Sequence, residues 1–537
     1  MARQPIPLEQ RGASAMYTTR GERRPAGTVH YAVNMFPASV KNPNSPWVTR
    51  GAFVNIGTGT AAGSAVVACG QLFTVNGTGV TWLLSSSSGI WVYDWSIGTY
   101  SNVVTAANFT TAGITLSAVT HYWCVFNNTI CFNPSNGTQQ PFTWDGGSGA
   151  GSLTELTNAP MAYGRPTTYN AKLFFIKYTE RDTIVWSEEA TANTGYEAGG
   201  YTNVWKLGQT GTAPLVAIQG TNECLYYLRA SSIGAIRGAV NSEFVTTATH
   251  DAISTNVGTL SPSGVLATGG DLWFFDQYMT PRVCQNGGQP QCLFDEWDVD
   301  VLGSEPFGFD LVGFDRSIGV NLTAEVLQLP VLGRMPYETI WFHVPASVPT
   351  SGRAFWVVSK DTLSPLGWVV PYIGAAAKPV AFVVTESTSG LSAPAIVDAS
   401  AGRIMVMSFV AEADRNASGT GQATTYRLIG APLGVTAVGD MQFDRLSVFL
   451  GSQASASVDV RMLTSRRATS ATISSAQTVT ANTGATEVVQ RYTVGTNQSG
   501  RWAAPMLSLT SSADTLSLQW DGWSLLAYPL STSPTVP

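Results

Sequence analysis

The sequence predicts an all-β protein: a β-propeller of six or seven blades with an additional C-terminal β-sandwich-like domain. Three observations carry this. Short runs rich in β-branched and aromatic residues, bounded by turn formers, recur along most of the chain, and such runs read as strands of antiparallel hairpins. The stretch 172–238 shows the unit, with Leu173-Phe174-Phe175-Ile176 and Thr183-Ile184-Val185-Trp186 separated by a polar turn, then Leu225-Tyr226-Tyr227-Leu228 and Ile233-Gly234-Ala235-Ile236 after a Gly/Thr/Asn connection. Aligned on its first apolar residue, the unit recurs at Leu72, Tyr122, Leu173, Leu225, Leu272, Ile340 and Ile404, with spacings of 50, 51, 52, 47, 68 and 64 residues. Such a unit cannot bury both faces alone, so copies must flank it, and four-stranded units at roughly 40–50 residues mark a propeller. The competing architecture is a long β-sandwich with accidental spacing.

Residues 1–29 read as an extended basic arm, because Pro5, Pro7 and Pro25 break any helix and no apolar periodicity appears. Residues 30–430 are assigned to the propeller. Asn76-Gly77, Asn127-Asn128 and Asn136-Gly137 are tight-turn signals in its first blades. The loop from Asp145 to Gly151 is placed between the second and third units, and residues 322–336 and 347–353 are read as insertions. After Gly430 the texture changes to alternating segments joined by Ser/Thr/Gly-rich connections, which predicts a sandwich over 431–530 and a loose tail over 531–537.

Charged residues make up only 12% of the chain, against the roughly 25% usual for soluble domains, and just six are lysines. A surface this poor in charge is expected to be covered in part by other subunits. Residues 1–50 carry a net +5 and the remainder −11. No secretory leader is legible near the start, and the most apolar region, Trp368 to Val384, is broken as a membrane span by Pro371, Lys378 and Pro379. The six cysteines lack metal-ligand spacing. Cys124 and Cys131 face each other across a hairpin, which permits a disulfide in an oxidising compartment, while thiols packed as small hydrophobes are the expectation.

A search for chemistry returns little. His30, His121, His250 and His343 lie far apart, and His121 reads as a packed or surface imidazole. Gly146-Gly147-Ser148-Gly149 lacks the strand-to-helix context of a nucleophile elbow. The run Asp295-Glu296-Trp297-Asp298-Val299-Asp300 could offer oxygen ligands but lacks the glycine and distal glutamate of a calcium loop, so it reads as a solvated strand edge. No catalytic residue, metal site or cofactor is assigned, and the chain is expected not to be an enzyme.

Four groups of residues carry a resemblance. They are Val33-Asn34-Met35-Phe36-Pro37 with Pro46 to Gly51; Gly164-Arg165-Pro166 continuing through Val185-Trp186-Ser187 to Ser232-Ile233; Val257-Gly258, Ser263-Gly264-Val265 and Gly270-Asp271-Leu272-Trp273-Phe274-Phe275; and Gly500-Arg501-Trp502 before Trp520-Asp521-Gly522-Trp523. In this order they resemble the tail-nozzle, or packaged-DNA stabilisation, proteins of short-tailed double-stranded DNA bacteriophages, with Arg50 standing where that pattern has proline. The resemblance implies a virion tail protein assembled in the host cytoplasm. It implies a homohexameric ring below the portal and adaptor that meets tail fibre or spike proteins, retains packaged DNA and conducts it at ejection. On that reading Asp295, Glu296, Asp298 and Asp300 are expected to face the channel, and Arg20, Arg23 and Arg24 to help dock the arm on the adaptor. A glycan-binding or glycan-cleaving propeller of a virion is the alternative.

Overall fold

The computed structural model describes residues 6–530, apart from 17–27, 197–202, 239–247, 294–322, 330–336, 346–352, 370–380, 386–391, 408–421, 482–488, 512–517 and stretches of one to five residues. Among the described residues, five consecutive four-stranded antiparallel sheets occupy 66–105, 122–155, 162–206, 215–254 and 265–292. A sixth is built from Thr323–Leu329, Tyr337–Pro345, Arg353–Ser359 and Pro365–Val369. The seventh takes Ala381–Thr385, Ser392–Asp398 and Arg403–Met407, and is completed by Phe53–Asn55 from the other end of the chain. The first strand of each sheet packs on the first strand of the next, and Ala381–Thr385 packs on Val66–Phe73. The ring therefore closes around an axis, as a seven-bladed propeller.

The apolar runs have a direct cause. In a blade between two neighbours both faces are buried, so strands lose the polar alternation of a half-exposed sheet. Phe174, Ile176 and Trp186 of the third blade pack with Leu225, Tyr227 and Ile236 of the fourth, while Leu173, Phe175 and Val185 pack with Phe126 and Cys131 of the second. Each gap between adjacent blades holds one such core, and the last joins Leu83, Tyr93 and Tyr100 to Val397, Ile404 and Val406. The anchor residues are not equivalent positions. Leu173, Leu225, Leu272 and Ile340 lie on second strands, Leu72 and Tyr122 on first strands, and Ile404 on a third. Two further readings are corrected: the loop from Asp145 to Gly151 lies inside the second blade, and residues 323–329 are the inner strand of the sixth blade, not an insertion.

The sandwich is woven from both ends of the described chain. One sheet runs Gln490–Gly500, Met441–Ser452, Leu518–Pro529, Trp47–Thr49, Met35–Pro37, with Ile6–Arg11 also paired to Leu518–Pro529. The other contains Tyr31–Val33, Thr424–Ile429, Trp502–Ser511 and Ala456–Arg467, and continues through a parallel pairing of Val33 with Trp368 into the sixth blade. The expected boundaries at 29 and 30 therefore do not describe this molecule: 6–11 is a sheet strand, and 31–49 belongs to the sandwich. Pro7 is compatible with that strand because it pairs on one side only, where a missing N–H costs little. Gln10 ties the strand down, its Oε1 accepting from Trp523 Nε1 and the Ala431 amide, both at 2.9 Å. Gly522, at φ 147°, is required there, since a Cβ would sit 2.2 Å from the Gln10 carbonyl oxygen.

His121 is a packed imidazole between the first and second blades, donating from Nδ1 to the Val119 carbonyl at 2.9 Å, and burial lowers its pKa to about 4. The unfolded chain takes up this proton near pH 6.5 while the folded chain refuses it until about pH 4, so stability falls as pH drops through that window. The shift corresponds to about 3 kcal/mol at the acid end. Urea titrations from pH 7 to 4 are expected to show a smaller acid loss in His121→Gln than in the parent chain; equal losses would assign the acid sensitivity elsewhere.

Candidate functional site

Asp295, Glu296, Asp298, Asp300, Arg20, Arg23 and Arg24 all lie outside the described residues. The motifs of the resemblance serve the fold. Gly164-Arg165-Pro166 is a bulge in the inner strand of the third blade, with Gly164 at φ 72°, and it sets Arg165 Nε 3.2 Å from the Trp123 carbonyl of the second blade. Asp271 Oδ1 accepts the Asn286 amide at 3.1 Å. Gly258 donates to Gln277 Oε1 at 2.9 Å, stitching the connection between the fourth and fifth blades.

A concave site forms instead where the turns between first and second strands of the second, third and fourth blades converge. Asn127-Asn128 and Asn170-Ala171 are two-residue turns with positive φ at both positions, 47° and 60°, then 48° and 57°. That is the geometry that matches strand twist in a tight hairpin, and asparagine tolerates it. Alanine does so less readily, yet Ala171 and Ala190 both adopt it. Neighbouring turns hold them there. Asn127 Nδ2 donates to the Ala190 carbonyl at 3.0 Å and the Ala190 amide to the Ala171 carbonyl at 2.9 Å. Asn170 Nδ2 and the Tyr169 hydroxyl both donate to the Gly238 carbonyl at 3.1 Å.

The depression has a volume of about 460 Å³, and the residues lining it include Asn127, Asn170, Asn222, Thr168, Thr221 and Val125. Among the described residues, none that lines it carries a carboxylate, ammonium, guanidinium or imidazole. Tyr169 titrates above its ordinary value, chiefly through burial, and stays neutral. Among the described residues no group of three or more His, Cys, Asp or Glu side chains is placed to hold a metal ion. None of the six cysteines is in a disulfide, and Cys124 stands directly opposite Cys131 in the second blade. Sequence reasoning caught Asn127-Asn128 as a turn, but could not see that it meets turns one and two blades further on.

The fold and site define a class: a seven-bladed propeller joined to an interwoven β-sandwich, with a neutral depression at one end of the ring. No family model matches the chain, and no curated protein matches it. Solved structures similar to it include an exo-β-1,3-galactanase from Phanerochaete chrysosporium, at 10% identity over 90% of this chain and 100% of that one, with a TM-score of 0.24. A glycoside hydrolase family 43 arabinoxylan arabinofuranohydrolase from Bacillus subtilis is similar at 10% identity over 95% of this chain and 98% of that one, TM-score 0.21. A chain from an S. cerevisiae complex of dbp5 with nup159 and gle1 is similar at 9% identity over 74% of this chain and 99% of that one, TM-score 0.35. Likeness at this level assigns neither activity nor substrate. The expectation that the chain is not an enzyme is withdrawn: glycoside hydrolases stand among these structures, and likeness at this level decides neither an activity nor its absence.

Proposed function

We propose that this chain is a glycan-recognising β-propeller of a virion. The carrying observation is the depression across the second to fourth blades, whose described lining holds three asparagines and two threonines and no charged side chain, and whose volume lies within the range of small-molecule sites. Sugars present dense hydroxyl groups without charge, and asparagine amides and threonine hydroxyls can both donate to and accept from them. A glycan array with the intact chain, paired with a hydrolase assay on the same glycans, tests the reading. Binding of uncharged glycans is the expected result; neither binding nor turnover across the array would remove it.

A second reading, a nozzle subunit of a short-tailed phage, is favoured by the resemblance of the four motif groups and by the 12% charged content, which suits flanks buried against neighbouring copies. On this reading the native complex is a hexamer that docks on the adaptor and passes DNA. The acids Asp295, Glu296, Asp298 and Asp300 would line the conduit, where a basic wall would hold duplex DNA through its phosphates. Native mass spectrometry is expected to give six copies, and a monomer would count against the reading. For the arm, charge reversal at Arg20, Arg23 and Arg24 is the sound test, because deleting 1–29 also removes the strand Ile6–Arg11. Adaptor binding unchanged by that reversal would end the docking role.

A further inference from the structure

We infer that the depression across the second, third and fourth blades is a holding subsite for an uncharged saccharide, separate from any bond-cleaving centre. The inference deepens the glycan reading and rests on it.

Three features carry it. The first is what the site lacks. Glycoside cleavage ordinarily needs two carboxyl groups roughly 5–10 Å apart, and among the described residues no carboxylate lines the depression. A charged ligand would also lose hydration there without meeting an opposite charge. The second is the hydrogen-bonding inventory. Asn127 and Asn170 each spend one Nδ2–H on a protein carbonyl, which fixes the amide's orientation and leaves Oδ1 and the second N–H to meet hydroxyl groups. Asn222, exposed on the turn of the fourth blade, makes no hydrogen bond among the described residues and brings a donor and an acceptor. Val125, 40% exposed, supplies an apolar wall for the C–H face of a sugar ring.

The third feature is pre-organisation. Four of the ten described non-glycine residues with positive φ line this one depression: Asn127, Asn170, Ala171 and Ala190. Such conformations cost of order 1 kcal/mol and persist where surrounding structure enforces them, which is common at ligand clamps. Here the Asn127–Ala190–Ala171 hydrogen bonds join the second blade to the third, and the bonds to Gly238 join the third to the fourth. The rim is thus set before ligand arrives, and little ordering is lost on binding.

The test uses the intact chain, with cellobiose, maltose and N,N′-diacetylchitobiose as neutral probes, sialyllactose as a charged one, and any array-positive glycan. Calorimetry is read alongside hydrogen exchange. At least one neutral probe is expected to bind, with protection at the three turns and an affinity flat from pH 5 to 9. Asn222→Ala is expected to weaken it about tenfold with an unchanged urea midpoint, since that side chain supports nothing in the fold. Ala171→Gly, which relieves the strain without unfolding the blade, is expected to weaken it less. A glycan that binds with protection elsewhere and is indifferent to both variants overturns the inference and leaves the glycan reading standing. Tighter binding of sialyllactose, or hydrolysis lost on Asn222→Ala with binding intact, overturns it as well. Failure of every glycan to bind the parent chain removes the underlying reading instead.

Discussion

A chain lacking residues 1–55 is expected to lose its cooperative fold. Phe53–Asn55 is the outer strand of the seventh blade, pairing Phe53 with Met407, Val54 with Val406 and Asn55 with Met405. Without it the last blade has three strands and an open edge at the point where the ring is fastened. The same deletion strips the sandwich of Ile6–Arg11, Tyr31–Val33, Met35–Pro37 and Trp47–Thr49. It removes the buried side chains of Tyr31, Met35, Phe36, Trp47, Val48 and Phe53. At roughly 1.5–3 kcal/mol for each large side chain buried, that loss matches or exceeds the 5–15 kcal/mol by which a domain is usually stable. Calorimetry on the purified truncation, or its recovery only in inclusion bodies, checks this. A soluble product melting in one transition at the full-length temperature would show that the propeller closes unaided. Adding the excised segment as a peptide is expected to restore soluble chain, because the strand it supplies has a ready partner edge.

The second large effect is expected at Arg50, which is 1% exposed where the two domains meet. Its Nε donates to Asn34 Oδ1 at 2.8 Å, another guanidinium nitrogen donates to the Gly51 carbonyl at 2.6 Å, and the group lies 5.0 Å from the centre of the Phe53 ring. Asn34 extends the node: its Nδ2 donates to the Thr425 carbonyl of the sandwich at 2.8 Å, and its amide to the Trp368 carbonyl of the sixth blade at 2.8 Å. One cation therefore satisfies groups in the segment that ties propeller to sandwich. Arg50→Met keeps much of the volume but deprives a buried amide oxygen and a carbonyl of donors, and a loss of about 3–5 kcal/mol is expected. Arg50→Lys is expected to recover only part of it, since an ammonium lacks the planar fork. Urea unfolding measures both, and a change below about 1 kcal/mol in Arg50→Met would mean the node relaxes without cost. Proline could supply none of these donors, so the departure at Arg50 from the phage motif has a structural role here.

Reading along the chain, the blades were legible wherever a strand is buried on both faces. Leu173 to Ile176, Leu225 to Leu228 and Leu272 to Phe275 are unbroken apolar runs because each faces two neighbouring cores. Blade number and register were less so. Leu72 and Tyr122 resemble the other anchors although they sit on inner strands, since the inner strands of these blades also carry apolar and aromatic runs. The candidate site was barely legible. Its residues are single asparagines, alanines and threonines at hairpin turns, which look like ordinary turn formers until three blades bring them together.

Local chemistry was thus enough for the repeated sheet unit, its approximate period, the cyclic arrangement and the sandwich strands that follow Gly430, because side-chain pattern and turn propensity act between near neighbours. Which strand closes the ring, how residues 6–49 enter the sandwich, and where a neutral depression opens were decided only by tertiary structure. Those features depend on segments far apart in the chain meeting edge to edge. A sheet edge carries no mark in sequence of the strand that will complete it, since backbone hydrogen bonds are the same for every partner.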